Sequence, residues 1–455
     1  MEIPTTEKIA KFVVETDYND IPKEGIKVAK KAILDCLGVA IAGSKEPGPK
    51  ILVEQVKQTG AVGEATVICG GFRTSADLAA WVNGTASHAL DYDDTFPSSA
   101  GWNFHPTVPI LPAVLALGEK YDVSGIDILT SYIVGIEVES RVGSAIGLFN
   151  SELGWHTTSV MGTIGAAAAS AKILKLNVLQ TQMALGVAGS LAGGLRHNFG
   201  TMTKSFQAGN AARNGVVATL LAKNGFTANE SILEGQFGFF NLFSGGNESG
   251  LRNNEEGLKG VWHIISPGIS FKPYPSCRST HSSIDAALHI RSEFRVDADQ
   301  VIGITCKTSP LHTQLSRFHR PRSGYEGKFS IPYCIAIALL RGGVSLEDFT
   351  DEKVNETRVQ DLLSKVNYLY PEDWPTGNDL TQEVVVHLKD GEKYSHRVVF
   401  PKGEPENPMT EEELIAKFKD CVCLSLSQLR TERMLEMITN LESLDRISRL
   451  MEVLE

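Results

Sequence analysis

The stretch TTSVMGTIGAAAASAKILKL, residues 157–176, decides the fold class of this 455-residue chain. Its apolar residues recur at intervals of three and four, which is the period of an α-helix with a buried face. Glycine and alanine dominate its first half, and such small side chains allow helix backbones to approach each other closely. The stretch therefore predicts a helix that packs tightly among other helices.

The same period runs through most of the first 243 residues. It is clearest in five further segments: IPKEGIKVAKKAILDCLGVAIAG (21–43), TSADLAAWVNGTASHAL (74–90), TVPILPAVLALGEKY (107–121), ILTSYIVGIEVESRVGSAIG (128–147) and GNAARNGVVATLLA (209–222). Amphipathic helix returns from Thr410 to the end of the sequence. We therefore predict a mainly α fold, in which residues 1–266 form a large all-helical domain that residues 402–455 complete.

Between these two parts the character of the sequence changes. The segment SPGISFKPYPSC (266–277) contains three prolines and a glycine, which mark a boundary. VIGITCKTS (301–309) alternates like a half-buried strand, and LTQEVVVHLKDGEKYSHRVVF (380–400) is typical of a hairpin around Asp390-Gly391. Helical patterns lie between these strands, so residues 267–401 are predicted to form a smaller α+β domain.

Composition and motif content exclude several classes of function. The formal net charge of −11, without a Lys/Arg stripe, argues against nucleic acid, because binding a phosphate backbone needs such a surface. The charged, amphipathic N-terminal segment and the short apolar runs predict no membrane span and a cytoplasmic location. The seven cysteines form no CxxC pair, which argues against zinc or iron–sulfur sites. Nucleotide-binding glycine patterns and the GxSxG elbow are also missing.

Acidic, hydroxyl and histidine side chains are concentrated in HALDYDDTFPSSAGWNFHPTVP, residues 88–109. Asp91, Asp93 and Asp94 fall within four positions, and Thr95 and His105 follow them. A solvated acidic loop is the simpler interpretation of the carboxylates. The apolar and aromatic residues on both sides instead predict that several of these groups are buried, and buried ionisable groups are where acid–base chemistry concentrates.

Two other positions have the character of site residues. His156 begins a helix beside a tryptophan and three hydroxyl residues, and its ordinary pKa of about 6.5 suits a general acid or base, although capping is the simpler role. Lys204 runs directly into a small-residue helix that would hold it rigid. Together with Lys272 and Arg278 it fits recognition of several carboxylates. Metal binding by the histidines and carboxylates is the weaker alternative, because no HxH or HExxH spacing supports it.

Over nearly its whole length the chain resembles the MmgE/PrpD family of 2-methylcitrate dehydratases and cis-aconitate decarboxylases. The motifs that carry the resemblance are KKAILDCLGVAIAG, NGTASHALDYDDT with the later HPTVPILPA, GWHTTSVMGTIGAAAASAKILKL, GTMTKSFQAGNAARNG, FKPYPSCRSTHSSIDA and GYEGKFSIPYCIA. The resemblance implies a helical domain built from both chain ends, an inserted α+β lid domain and a homodimer. It also implies chemistry without a metal or organic cofactor.

The resemblance further implies which residues form the active site. The matching positions are Asp91, Thr95, His105, His156, Lys204 and Lys272, and Cys277 and Arg278 follow in the same motif as Lys272. We assign catalysis to His105, His156, Asp91 and Lys204, and substrate binding to Thr95, Lys272, Arg278 and Cys277. The animal decarboxylases carry a histidine where Cys277 stands, and their interval between the acidic motif and the His-Pro pair is shorter. Both departures argue against decarboxylation of the animal type.

The function predicted from these residues is a cofactor-independent lyase that acts on a small di- or tricarboxylate. Dehydration of a hydroxy acid of the 2-methylcitrate type is the leading hypothesis, with one histidine as base and the other as proton donor, in an order that the sequence leaves open. Epimerisation of the iminodisuccinate type is the alternative, because the same groups can return a proton to the opposite face. Decarboxylation of cis-aconitate is third, and a binding protein that retains a carboxylate pocket is the non-enzymatic hypothesis.

Overall fold

The computed structural model describes residues 5–97, 100–101, 104–246, 260–374, 379–423 and 425–455. Its first part is helical, with one short hairpin. The helices are α1 Thr5–Glu15, α2 Lys23–Gly43, α3 Pro47–Lys57, α4 Ala76–His88, α5 Thr107–Tyr121, α6 Gly125–Ile146, α7 Phe149–Glu152, α8 Thr157–Ile173, α9 Val178–Leu191, α10 Met202–Lys223 and α11 Phe239–Phe243. The hairpin pairs β1 Ala65–Thr66 with β2 Arg73–Thr74.

Small residues set the spacing of the central helices, as their abundance predicts. A methyl group added at Gly209 of α10 would lie 2.4 Å from the carbonyl oxygen of Trp81 in α4. A methyl group at Gly215, six residues further along α10, would lie 2.5 Å from the side chain of Ala166 in α8. Because α10 is so close to both helices, the residues at the end of α4 and at the start of α8 face the first turn of α10.

The second part, which follows Ser270, mixes helices with one sheet. Its helices are α12 His281–Glu293, α13 Pro310–Leu315, α14 Gly324–Gly327, α15 Ile331–Arg341, α16 Asp351–Val354 and α17 Thr357–Leu363, and its strands are β3 Val301–Lys307, β4 Val366–Leu369, β5 Gln382–Leu388 and β6 Lys393–Val398. The strand order is β4-β3-β5-β6. β3 runs parallel to β4 and antiparallel to β5, and β5 and β6 form the predicted hairpin.

The chain then returns to the helical part as α18 Glu411–Val422, α19 Gln428–Thr439 and α20 Ser448–Leu454. Phe418 of α18 packs against Gly38 of α2, where an added methyl group would lie 2.9 Å from its ring. One apolar core joins residues of the first 269 positions to residues 418–454, and a separate core lies within residues 284–388. The prediction of a mainly α fold is confirmed, whereas the proposed domain boundaries stay a prediction.

Among the described residues, no helix combines the length and apolarity that crossing a lipid bilayer requires.

Candidate active site

A tight turn after α4 brings the acidic residues into the interior. The helix ends at His88, and Asp91 has a left-handed backbone with φ of +52°. Asp91, Asp93, Asp94 and Thr95 are all buried, with at most 3% of any of them exposed. A left-handed non-glycine residue costs about 1–3 kcal/mol and persists only where the surroundings hold it. The predicted burial of this motif is therefore confirmed, and its conformation depends on what surrounds it.

Asp91 is the anionic centre of two ion pairs. Its Oδ1 lies 2.8 Å from Lys204 Nζ and 3.1 Å from Lys272 Nζ. Burial opposes ionisation of this carboxyl, but the two ammonium groups outweigh it and hold the pKa of Asp91 well below its usual value. The residue is therefore a carboxylate at neutral pH, and it fixes both lysines.

Asp93 joins two imidazoles. One of its oxygens lies 2.9 Å from Nδ1 of His88 and 2.7 Å from Nδ1 of His105. Burial raises the pKa of Asp93, but the interactions with His105 and then His88 outweigh it and keep the pKa well below its usual value. Asp93 therefore accepts a hydrogen bond from Nδ1 of His88, and its negative charge beside Nδ1 of His105 favours a proton on that nitrogen as well.

His88 connects the Asp93 carboxylate to Lys204. Its Nε2 lies 2.9 Å from Lys204 Nζ, and an ammonium group can only donate, so Nε2 is the acceptor and Nδ1 carries the proton. Lys204, His88, Asp93 and His105 therefore form one continuous chain of polar contacts. Sequence reasoning assigned no role to His88 or Asp93. The available signal was the position of His88 at the start of the acidic motif, five residues before Asp93.

His105 is neutral in the free protein. Burial lowers its pKa to about 3, with Lys272 and Lys204 adding to the effect and Asp93 opposing it. Its backbone N–H donates to Thr158 Oγ1 at 3.1 Å, which ties the segment before α5 to the start of α8. Because Nδ1 faces Asp93, the lone pair lies on Nε2, which is 3.5 Å from Asp91 Oδ1.

His156 is a second neutral imidazole at the N-terminus of α8. Gln207 Nε2 donates to the carbonyl of Leu195 at 3.3 Å, so Gln207 Oε1 accepts from His156 Nδ1 at 2.7 Å. Burial, followed by Lys204 and His88, holds the pKa of His156 well below its usual value. Its buried Nε2 has no hydrogen-bond partner within the described part of the chain. An unpaired buried acceptor of this kind is poised for a ligand.

Part of this network lines a cavity of about 200 Å³. Its polar wall contains the four residues predicted as catalytic, together with Cys277 and Arg278. The rest of the wall is mainly apolar and includes Phe104, Leu148, Trp155, Phe199, Leu311, Leu315 and Phe329. The Lys204 ammonium also lies over the rings of Phe199 and Phe329, 5.3 Å and 5.4 Å from their centres. A small anion that enters this cavity therefore meets a cation and two proton acceptors in a largely dry environment.

The four residues predicted to bind substrate divide into two pairs. Arg278 and Cys277 line the cavity, and Arg278 is anchored from behind by Glu404, to which its Nε donates at 2.9 Å. Lys272 and Thr95 are completely or almost completely buried and are not in the cavity wall. Lys272 contacts Asp91, and the Thr95 backbone pairs with Ser270. Substrate binding by all four stays a prediction.

The same residues could be considered as metal ligands. His88, Asp91, Asp93 and His105 each offer one ligand atom, and these atoms lie within 4.8 Å of one another. However, Lys204 Nζ already contacts two of these residues, at His88 Nε2 and Asp91 Oδ1. Lysine ammonium groups therefore supply the positive charge that this acceptor set needs, and the arrangement fits a metal ion poorly.

Comparison with known proteins decides the family. The MmgE/PrpD N-terminal domain matches residues 7–252, and the MmgE/PrpD C-terminal domain matches residues 274–443. The chain belongs to the MmgE/PrpD family. The N-terminal match contains both cavity histidines and Lys204, whereas Cys277, Arg278 and the anchoring Glu404 lie in the C-terminal match.

Members of the MmgE/PrpD family with two different activities are similar to this chain. Cis-aconitate decarboxylase of Mus musculus is 30% identical, over 99% of this chain and 93% of that protein. Cis-aconitate decarboxylase of Aspergillus terreus is also 30% identical, over 99% of this chain and 95% of that protein. The 2-methylcitrate dehydratase of Escherichia coli O157:H7 is 24% identical, over 94% of this chain and 92% of that protein.

Proposed function

We propose that the protein is a cofactor-independent lyase for a small di- or tricarboxylate, and that its reaction is dehydration of a hydroxy acid of the 2-methylcitrate type. One observation carries the proposal: two neutral imidazoles and one ammonium group line the same cavity. Removal of a proton from carbon needs an acceptor, and departure of a hydroxyl group needs a donor. The cavity supplies both.

His105 is the base in this proposal. When its Nε2 takes a proton, the resulting imidazolium lies between two carboxylates, with Asp93 at 2.7 Å and Asp91 at 3.5 Å. The proton partner of His156 is instead the neutral amide of Gln207. The imidazolium is therefore stabilised better at His105. The unpartnered Nε2 of His156 accepts a hydrogen bond from the substrate hydroxyl and orients it.

The proposed reaction balances with these groups alone. His105 removes a proton from the carbon next to a substrate carboxylate, and the electron pair of that C–H bond forms the carbon–carbon double bond. The C–O bond breaks, and the leaving oxygen takes a proton from Lys204 to depart as water. Arg278 offsets the charge that builds up on the carboxylate. Each positioned proton-transfer group of this kind accelerates a reaction by about 10²–10⁴-fold.

Decarboxylation of cis-aconitate is the second candidate, and the comparisons favour it. The decarboxylases align with 99% of this chain at 30% identity, which exceeds the identity to the E. coli dehydratase. In that reaction a carbon–carbon bond breaks, carbon dioxide leaves, and the remaining carbanion takes a proton. The resting site offers Lys204 as donor, but its two neutral imidazoles are acceptors. The charge state of the cavity therefore supports dehydration better.

The test is to incubate the purified, chelator-treated protein with 2-methylcitrate, citrate, cis-aconitate or iminodisuccinate in deuterated water and to follow each acid by proton NMR. Loss of water from a hydroxy acid is the expected result. Release of carbon dioxide, or deuterium exchange with inversion, would replace dehydration by decarboxylation or epimerisation. Tight binding of an acid without turnover would support the non-enzymatic binding protein instead. The variant His105→Gln should abolish turnover, and unchanged turnover would remove the assignment of the base.

We also propose a cytoplasmic homodimer. Several large apolar side chains of two neighbouring segments are exposed, and exposed apolar surface is typical of association sites: Phe149 (41%), Leu153 (56%), Phe237 (80%) and Leu242 (59%). Sedimentation analysis should give twice the mass of one chain, and a monomer at micromolar concentration would contradict the dimer. Cell fractionation should recover the protein with the cytoplasmic proteins rather than in an organelle.

A further inference from the structure

Three lysines converge on the turn that contains Asp91. The carbonyl oxygens of the consecutive residues 90–92 each accept a hydrogen bond from a different ammonium group. Lys328 donates to the first at 2.9 Å, Lys272 to the second at 2.8 Å and Lys417 to the third at 2.7 Å. We call these three residues the lysine clamp. Only Lys272 belongs to the predicted active site.

The lysine clamp is buried, which is unusual for such residues. Lys272, Lys328 and Lys417 are 0%, 3% and 5% exposed. Removal of an ammonium group from water carries a large penalty unless the charge is paired and hydrogen-bonded. Lys417 is paired with Asp35 at 2.6 Å, and Lys272 is paired with Asp91. The fold therefore keeps these charges at the turn despite the free-energy cost of burying them.

Among these three lysines, the buried charge of Lys328 has the fewest compensating contacts in the described part of the chain. Within the described part of the chain, its Nζ donates to the carbonyl of Leu90 and lies 5.3 Å from the ring centre of Phe349. Burial lowers the pKa of Lys328 to about 8, while the carboxylates of Glu46 and Asp91 oppose this shift and the ammonium groups of Lys272 and Lys204 add to it.

The turn that the lysine clamp contacts has an unfavourable backbone conformation. Asp91 has a φ of +52°, and this conformation costs about 1–3 kcal/mol for a residue other than glycine. The same residue holds Lys204 and lies beside Nε2 of His105. A small rotation of this turn would therefore move the proposed donor and the proposed base relative to each other.

We propose that Lys328 and Lys417 are positioning residues that hold the Asp91 turn in its catalytic geometry. They bind the backbone on either side of Asp91 from two distant parts of the chain, the segment before α15 and helix α18. Neither ammonium group touches the cavity, since neither residue lines it. Their contribution to rate rests on the proposed function, whereas their contribution to the backbone conformation does not.

The kinetic test compares Lys328→Met with the control Lys365→Met. Lys365 also donates to a backbone carbonyl, that of Val301 at 2.7 Å, but it belongs to the distant sheet region. Misplacement of catalytic groups by about 1 Å lowers rate by up to about 10²-fold, so we expect kcat of Lys328→Met to fall at least about tenfold. KM should change less than about threefold, because Arg278, which lines the cavity, keeps its own anchor on Glu404, and the control should match the wild type.

The pH dependence gives a second, independent kinetic result. In the wild type, kcat should decline as the pH rises through about 8, since loss of the Lys328 proton removes the charge that holds the Leu90 carbonyl. This alkaline decline should be absent from Lys328→Met. A purely structural contribution to folding would lower the melting temperature but leave the pH profile unchanged. Unchanged kcat and an unchanged profile in the folded variant would overturn the proposal.

Crystal structures separate this inference from the proposed function. In Lys328→Met or Lys417→Met, the φ of Asp91 should leave the left-handed region, whether or not an acid is turned over. If the wild type turns over none of the acids, the proposed function fails, and the φ of Asp91 still decides the inference. A turn that keeps its φ and its carbonyl positions in Lys328→Met would overturn the inference. If Lys328→Met does not fold, Lys417→Met and the wild-type pH profile serve as the tests.

Discussion

Replacement of Asp93 by asparagine tests how the two histidines are held. Asp93 is fully buried, accepts a hydrogen bond from Nδ1 of His88 and lies 2.7 Å from Nδ1 of His105. Asparagine keeps an acceptor oxygen, whose two lone pairs can face both rings, but it removes the negative charge. His88 must keep its proton on Nδ1, because its Nε2 accepts from Lys204. His105, the proposed base, loses the carboxylate 2.7 Å from its Nδ1 that would stabilise its imidazolium.

Loss of this charge makes His105 a weaker base. General-base catalysis contributes about 10²–10⁴-fold, so kcat of Asp93→Asn should fall by that factor. The same substitution in the serine protease triad, where the aspartate also stabilises an imidazolium, lowers kcat about 10⁴-fold. KM should change little, because Asp93 does not line the cavity.

Asp94→Asn is the matched control, because it changes the adjacent buried carboxyl. Burial raises the pKa of Asp94 well above its usual value, with the hydrogen bond from Thr107 opposing the shift, so burial favours the neutral form of this group. An amide resembles a neutral carboxyl and can keep the contact with Thr107. Steady-state kinetics and circular dichroism on both variants provide the assay. If Asp93→Asn is folded and retains kcat within about twofold of the control, the argument that the Asp93 charge supports the base is refuted.

Three further predictions follow from the same contacts. Gln207→Leu removes the acceptor that fixes Nδ1 of His156, so kcat/KM should fall at least about tenfold in steady-state assays, and an unaffected variant would contradict the role of His156. Burial lowers the pKa of His105 to about 3, so the base stays neutral in mild acid and kcat at pH 5 should equal that at pH 7, whereas a decline centred near pH 6.5 would indicate an ordinary histidine. Because Lys204 occupies Asp91 Oδ1, dialysis against a chelator should leave kcat unchanged, and recovery of lost activity with Zn²⁺ would contradict this.

The local pattern of the sequence predicts much of the fold. TVPILPAVLALGEKY was predicted as helix, and α5 has the same bounds, Thr107–Tyr121, despite Pro112 in its interior. The hairpin around Asp390-Gly391 is also confirmed, as β5 and β6. Strand β4, Val366–Leu369, was not predicted, because four residues are too short for a periodic signal and the strand is defined by its parallel pairing with β3.

The candidate site was predicted only where its residues stand out in the local sequence. Asp91, His105, His156 and Lys204 stand out locally, and the structure brings all four to one cavity. Glu404 does not stand out, because its importance comes from a contact with Arg278 across 126 positions of sequence. His88 was overlooked for a different reason: a histidine at a helix end is ordinary until its two ring nitrogens are seen to join Lys204 to Asp93.

The long-range contacts also explain why the site needs both matched parts of the family. Residues 7–252 contain the proposed base, the proposed donor and Asp91 itself. The groups that hold the Asp91 turn, however, are Lys272, Lys328 and Lys417, which all lie beyond that segment. Without them the turn would lose three charged hydrogen bonds to the carbonyls of residues 90–92 and one ion pair to the Asp91 side chain. In this proposal residues 7–252 supply the reactive groups, and the distant lysines hold the turn that brings those groups together.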